Sequence, residues 1–424
     1  MKSYYSQETG FFGNTNPREL LNKYGSPLYV YNEVILRERC REIIDLVSYP
    51  KYRVNYSAKA NSNLQLLKII HEEGLHADAV SSGDIYILEK AGFKPHEILF
   101  TCNNVSREEM EFAIKRGVTI SVDSISQLKQ YGSINPGGKV AVRFNPGTGA
   151  GHNEKVITAG NNTKFAVHPE SIPEIKQILR KYNLKLTGIN HHIGSLFMDP
   201  KPYVEAAKSL LSIAENFSGL EFIDFGGGFG IPYRKQAGEK RLDLKLMGDQ
   251  LTDLIHDWTN RNKTQPAFIV ELGRYIVAEC GILLGTVHAV KQNHNITYVG
   301  TDLGFNVLLR PAMYNSYHDI EIYDSSGVMV KSSEHSDHMN AVIVGNICES
   351  GDIISRNRVI PPVEEGYTIA VMDAGAYGYS MSSNYNNRLR PAEVMIDQNG
   401  RDILIRRRDT YENLLKNFPT VQPE

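Results

Sequence analysis

The chain has 424 residues, 41% hydrophobic and 22% charged, with a formal net charge of -2 at pH 7. This is the composition of an ordinary globular protein of about two domains, and no basic block invites nucleic acid or an anionic membrane. Met1-Lys2-Ser3-Tyr4-Tyr5 lacks the apolar core of a signal peptide, and no apolar run is long enough to cross a bilayer, so a cytoplasmic protein is expected. Cys40, Cys102, Cys280 and Cys348 are scattered without a CxxC pair, which argues against a zinc ribbon or a disulfide framework.

In chain order, residues 17–24 read as a helix and 28–31 as a strand that could pair with a distant C-terminal sheet. From about residue 50, apolar β-branched runs at 53–56, 77–80, 98–101, 119–122, 140–144, 186–190, 222–225 and 268–271 alternate with amphipathic stretches. The helical patterns include 64–73, 82–91, 107–115 and 173–181, the last opening on Pro173. Eight strands separated by helices predict an α/β fold, a (β/α)8 TIM-type barrel. A doubly wound open sheet is the structural alternative, but its opening glycine fingerprint is absent. After Arg274 the pattern changes to strands and turns, at 276–287, 294–301, 319–323, 341–345 and 368–373, which suggests a C-terminal antiparallel β domain. The expected division is 36–275 for the barrel, with 1–35 and 276–424 for the β domain.

Barrel enzymes carry their chemistry at the C-terminal ends of the strands. The unusual residues fall at those ends: Lys59 after the first strand, Asp78 in the second, Arg143 at the fifth and His192 after the sixth. Gly226, Gly227 and Gly228 follow the seventh, and Glu271 with Arg274 the eighth. A lysine at the mouth of a buried strand is either a solvated rim residue or a desolvated amine able to attack a carbonyl and hold pyridoxal phosphate as a Schiff base.

Asp224-Phe225-Gly226-Gly227-Gly228-Phe229-Gly230 lets backbone approach an anion and turn several N–H groups toward it, although a tight turn at the rim would also use it. It is not a dinucleotide fingerprint, since Ile231 stands where the third glycine belongs. Glu271 closes an apolar strand, where it could keep a pyridine nitrogen protonated or pair with Arg274 or Arg143. Adjacent His191 and His192 point to opposite faces of an extended chain, so they cannot share a metal ion. One of them could lie flat against a cofactor ring, or be a satisfied core histidine. Cys348, beside Glu349, reads as a buried small residue or as a thiol acid that protonates a carbanion. Arg310 and Tyr314, with Tyr377 further on, add a guanidinium and two phenols suited to carboxylate or phosphate.

The ordered set Tyr56-Ser57-Ala58-Lys59-Ala60-Asn61, His192-Ile193-Gly194-Ser195, Gly226-Gly227-Gly228-Phe229-Gly230, Glu271-Leu272-Gly273-Arg274, Arg310-Pro311 with Tyr314, Cys348-Glu349-Ser350 and Ala374-Gly375-Ala376-Tyr377-Gly378 resembles the fold-type III pyridoxal-phosphate decarboxylases. Within that family the likeness is greatest to the diaminopimelate decarboxylases, and it covers residues 25–415.

The resemblance implies an alanine-racemase-like pairing of barrel and β domain, with pyridoxal 5'-phosphate as cofactor and meso-diaminopimelate as substrate. It implies that Lys59 carries the cofactor, His192 stacks on its ring and Glu271 pairs with its nitrogen. Ser195, Gly226, Gly227, Gly228, Gly273, Arg274 and Tyr377 would lie at its phosphate, with Asp78 also in the cofactor site. Arg274, Arg310 and Tyr314 would receive the far carboxylate of the substrate and Glu349 its far ammonium, Tyr377 would also contact the substrate, and Cys348 would supply the proton that replaces CO2. Cys348 and Glu349 would come from a partner subunit, making a homodimer with shared active sites.

Three positions depart from the family pattern: Leu272 replaces a usual proline, and Ala159 and Thr163 alter the substrate-side segment 151–165. The alternative within the same fold is a decarboxylase of ornithine, lysine, arginine or carboxynorspermidine. A racemase would use a tyrosine base in place of the thiol. A non-enzymatic binding homologue would not need Lys59, Glu271 and Cys348 together, and a zinc hydrolase would need a spaced ligand set that the sequence lacks.

Overall fold

The computed structural model describes residues 4–147, 158–160, 163–331 and 338–419. Residues 151–157 and 161–162, which make up much of the expected substrate-side segment, lie outside the described residues. The chain divides into two compact units. One comprises Arg37–Ile231 and Arg241–Ile276, and the other Met1–Leu36, Pro232–Lys240 and Val277–Glu424.

Strand β1 (Leu28–Asn32) precedes the barrel in sequence and belongs to the second unit. The first unit is a closed barrel of eight parallel strands in sequence order. These are β2 (Tyr52–Ser57), β3 (His76–Ala79), β4 (Ile98–Thr101), β5 (Thr119–Val122), β6 (Lys139–Arg143), β7 (Lys185–Asn190), β8 (Phe222–Asp224) and β9 (Ala267–Leu272). Closure runs from Tyr52↔Phe268 to Tyr56↔Leu272 between β2 and β9. All eight expected strands are present, with ends shifted by at most a residue or two.

The local signals explain the alternation. Ser81, Ser106 and Ser124 cap the helices that follow β3, β4 and β5, each accepting a backbone N–H three residues on. Two of those helices stop at Gly92 and Gly117, which take the left-handed conformation that ends a helix cleanly. Helix Ile172–Lys181 starts one residue before Pro173, still within the turn whose N–H groups have no helical partner. The barrel interior is filled by side chains, Leu99, Ala141, Phe222, Ala267 and Ile269 among them. Parallel strands bury both faces, which is why β9 is apolar nearly throughout.

The second unit is a mixed sheet. Its strands are β1, β10 (Gly281–Asn293), β11 (Ile296–Thr301), β12 (Ile320–Tyr323), β13 (Met339–Val344), β14 (Ile353–Ile360), β15 (Thr368–Val371), β16 (Ala392–Ile396) and β17 (Asp402–Arg406). The order is β14-β13-β11-β10-β1-β16-β17, with β15 joining β10 to β12. Most pairings are antiparallel, as expected, but β1 with β16 and β11 with β13 run parallel. The partners of those two pairs are far apart in sequence, so no tight hairpin dictates their direction.

β1 pairs with β10 and β16, the distant pairing anticipated for it. β10 begins at Gly281 and not at residue 276, because Arg274–Val277 closes into a helical turn first. Strands β14, β16 and β17 lie outside the strands expected from the sequence; β14 exposes Arg356 and Asn357, and β17 leaves the adjacent Ile403 and Leu404 exposed, so neither follows a simple apolar-polar alternation.

Pro232–Lys240 groups with this sheet although it falls inside the stretch expected for the barrel. Its Lys235 ammonium lies 2.6 Å from Asp373 and 3.2 Å from Glu279, both fully buried carboxylates. Losing water costs each of these groups free energy, which the attraction between the ammonium and the two carboxylates offsets. No helix among the described residues is long and apolar enough to cross a membrane.

Candidate active site

The C-terminal ends of the barrel strands bring the expected groups together. β2 ends at Ser57 and runs into a single 3-10 turn, Ala58–Ala60, whose middle residue is Lys59. Ala58 and Ala60 are buried, so the turn is fixed while the lysine stem projects from it. The Lys59 ammonium donates to Asp78 Oδ2 at 2.8 Å, and the Thr101 hydroxyl donates to the other Asp78 oxygen. Asp78 is buried and Lys59 about a third exposed, so the pair is anchored from the carboxylate side.

His192 follows β7. The N–H of Gly227 donates to its Nδ1 at 3.1 Å, which fixes that nitrogen as the acceptor. Burial pushes the imidazole well below its usual range, and the Lys59 and Arg143 cations add to this, so His192 is neutral. Thr158 holds its backbone, donating to the His192 carbonyl at 2.9 Å. His191 faces the opposite way, fully buried with an edge-on contact to Phe225, and its pKa is lowered to about 3. The two histidines therefore divide as alternation requires: one is at the rim and the other in the core.

The glycine run turns at the end of β8. A side chain at Gly227 would place Cβ 1.6 Å from the Glu271 carbonyl oxygen, and one at Gly228 (φ +112) would meet Gly194 O at 2.4 Å. The backbone here is packed so tightly against its neighbours that only glycine fits. Beside it, Arg274 Nη2 donates to Ser195 Oγ at 3.0 Å, which joins the residues after β7 and β9. Gly273 lies between Glu271 and Arg274, directly after the end of β9.

Two carboxyls stand below this floor. Glu271 is 4% exposed and Asp224 0%, and burial raises both, Glu271 well above the usual carboxylate range and Asp224 to about 7. Their mutual interaction adds to the Glu271 shift. Asp224 Oδ1 accepts the Gly226 N–H at 2.7 Å, while Glu271 Oε1 meets no protein donor among the described residues. Arg143, at the end of β6, lies 4.9 Å from the Phe165 ring and is lowered by burial.

Asp224 opens the glycine motif, and the motif by itself assigns it no role. The signal that found Glu271, a carboxylate closing an apolar strand, applies to it equally. Thr101 gave no signal, since a threonine at a strand end is common.

The remaining predicted residues lie in the second unit. Arg310 opens helix Arg310–Tyr314 and is among the largest fully buried side chains, whereas Tyr314 is half-buried. Tyr377 adopts a left-handed φ of +57. Cys348 is exposed, which removes its reading as a buried small residue; Cys40, Cys102 and Cys280 are the buried ones. The Cys348 N–H donates to Asn386, and Glu349 accepts from the Tyr385 hydroxyl at 2.7 Å on an exposed loop. Asp352 braces that loop by accepting the N–H groups of Phe305 and Ile347. Of the departures, Leu272 and Ala159 are buried and Thr163 accepts the Phe165 N–H.

Residues 35–278 match the family described as pyridoxal-dependent decarboxylase, pyridoxal binding domain. The chain is 42% identical to the diaminopimelate decarboxylase of Methanothermobacter thermautotrophicus, over 95% of this chain and 94% of that one. The chain belongs to the diaminopimelate decarboxylase family. The Escherichia coli K12 member is 34% identical over 97% of this chain and 98% of its own. The structure of the Helicobacter pylori diaminopimelate decarboxylase complexed with L-lysine superposes with a TM-score of 0.85, at 29% identity, covering 95% of this chain and 98% of that one.

The residues of this diaminopimelate decarboxylase family member fit pyridoxal phosphate. Glu271 Oε1 is a buried acceptor that a protonated ring nitrogen would satisfy, and the close-packed glycine floor beside Ser195 and Arg274 suits a phosphate.

Proposed function

We propose that the chain decarboxylates meso-2,6-diaminopimelate to L-lysine and CO2, the last step of lysine synthesis through diaminopimelate. The observation that carries this reading is the Lys59–Asp78 pair at 2.8 Å, on the barrel rim that also holds Glu271 and the glycine run. Pyridoxal phosphate, when bound, supplies the aldehyde that captures a substrate amine and the ring that takes up the electrons of the broken C–C bond.

Lys59 would carry the cofactor, and Asp78 would position the Lys59 nitrogen through the contact it makes here. Neutral His192 would pack against the ring without adding a positive charge to it. Glu271 would accept the ring N–H through Oε1, which meets no protein donor among the described residues, and the positive ring nitrogen would in turn favour the ionised carboxylate. Ser195, Gly226, Gly227, Gly228, Gly273, Arg274 and Tyr377 bind the phosphate or border it.

Arg274, Arg310 and Tyr314 receive the far carboxylate of the substrate, Glu349 its far ammonium, and Tyr377 adds a further substrate contact. Binding energy spent on that distant head group would orient the substrate for loss of CO2, and it would disfavour amines that leave the clamp's charges unpaired. Cys348 delivers the proton that replaces CO2.

The exposure of Cys348 and Glu349 supports their contribution to a partner's active site, and hence a homodimer with shared sites. The barrel at 36–275 would bind the cofactor, and the β domain (1–35 and 276–424) would supply substrate and dimer contacts. The scattered spacing of Cys40, Cys102, Cys280 and Cys348 suits a reducing cytoplasm.

The test is CO2 release from meso-diaminopimelate by protein supplied with pyridoxal phosphate, beside Lys59→Ala. Stoichiometric L-lysine, absent in the variant, is expected. A wild type that develops the visible band of lysine-bound cofactor yet leaves diaminopimelate intact would sink the substrate assignment. Ornithine, lysine, arginine and carboxynorspermidine are the substrates to try in that event.

A further inference from the structure

Arg310 is 1% exposed, and its guanidinium is held on two sides by uncharged groups. Its carbon lies 4.7 Å from the centre of the Tyr233 ring, and its Nη1 lies 2.7 Å from His318 Nε2. His318 is itself 2% exposed, edge-on to the same Tyr233 ring at 5.1 Å, and its Nδ1 lies 2.7 Å from the Met372 carbonyl oxygen. A carbonyl oxygen can only accept, so Nδ1 carries the hydrogen. A guanidinium nitrogen can only donate, so Nε2 offers its lone pair. Both contacts are made together by one form of the ring alone, the neutral tautomer with hydrogen on Nδ1.

We propose that His318 is the positioning residue for substrate specificity, fixing Arg310 through Nε2 so that the guanidinium is aimed at the far carboxylate of an amino-acid substrate. The inference rests on the role given to Arg310 above and extends it to a residue that touches no substrate atom. The backbone continues the chain of support: the His318 carbonyl accepts from Arg358 Nη2 at 2.8 Å, which anchors the segment that carries the imidazole. Because neither His318 nor Tyr233 is an anion, neither competes with a substrate carboxylate for Arg310. The buried setting also makes a carboxylate there worth far more than it would be in water.

Two substitutions separate aiming from mere packing. Asn places its amide where Nδ1 stands, so His318→Asn keeps a donor for Met372 O and loses the acceptor for Arg310. Gln reaches to the position of Nε2, so His318→Gln keeps the acceptor and loses the donor. The readout is the visible absorbance of bound cofactor during titration with L-lysine and with cadaverine, which differ only in the carboxylate.

In the wild type L-lysine should bind more tightly. In His318→Asn that preference should shrink roughly tenfold or more, with cadaverine affinity unchanged, whereas His318→Gln should keep most of it. An Asn variant that discriminates like wild type overturns the proposal, and so does a Gln variant that loses as much as Asn. If the Asn protein does not fold, Tyr233→Leu takes its place: a reduced preference supports the proposal and an unchanged one overturns it. A wild type that binds both amines equally would instead sink the assignment of Arg310 itself, and this proposal with it.

Discussion

Asp78 holds the Lys59 ammonium at 2.8 Å through one carboxylate oxygen while its other oxygen accepts from Thr101. The carboxylate is thereby held at both oxygens, and the Lys59 side chain it pairs with is about a third exposed. Lys59→Ala should show no visible band with added pyridoxal phosphate and a turnover lower by roughly three orders of magnitude or more. Asp78→Asn should keep the band but form it more slowly. Absorbance spectra and CO2 release check both.

Asp224 and Glu271 set a pH dependence whose sign can be worked out. Both carboxyls are raised by burial, Asp224 to about 7, so between the ordinary carboxylate range and about 7 the folded state binds more protons than the unfolded state. Their contribution to stability is present at low pH and is lost as pH rises through that window. The lowered His191 and His192 act in the opposite sense, which is why a difference measurement is needed. Asn keeps an acceptor for the Gly226 N–H, so the melting temperature of Asp224→Asn minus that of wild type, without cofactor, should become more positive from pH 5 to pH 8. An unchanged difference would mean that Asp224 does not titrate in that range.

The exposed Cys348 and the rim Lys59 allow a direct test of shared sites. If each active site takes Lys59 from one subunit and Cys348 from another, random mixing of Lys59→Ala with Cys348→Ala should restore about a quarter of wild-type activity from two nearly inactive proteins. No recovery after unfolding and refolding the mixture would place both residues on one subunit.

Cysteine chemistry offers a fourth check. Burial pushes the Cys40 and Cys102 thiols up to about 12, and Cys280 is also buried, while Cys348 is exposed. Under native conditions a maleimide should modify Cys348 well ahead of the other three, and L-lysine should slow that reaction. Peptide mapping reads the order of labelling.

A methyl group at Gly227 would need the space of the Glu271 carbonyl, 1.6 Å away, so both strand ends would have to part. Gly227→Ala should lower cofactor affinity at least tenfold and cost roughly 2 kcal/mol or more of stability. Fluorescence titration and denaturant melts measure the two losses.

Much of the architecture was legible in order along the chain. Barrel strands alternate with capped helices, and each alternation is written locally, in β-branched runs, serine caps and glycine stops. The chemistry followed because a barrel presents every strand end at one rim. Knowing that Lys59, His192 and Glu271 end strands was therefore enough to bring them together. The second sheet was less readable. β1 pairs with β16 across more than the whole barrel, and β17 shows no clean alternation, so nothing local specified partner or direction.

The sequence by itself determined the barrel, the order of its rim residues and the family, because those depend on short-range pattern and motif. Only the tertiary structure decided that His191 is buried while His192 meets the Gly227 N–H, that Asp224 and Glu271 form one buried pair, and that His318 and Tyr233 support Arg310. Tautomer, protonation and aim are set by what surrounds a side chain, and those surroundings come from residues far away along the chain.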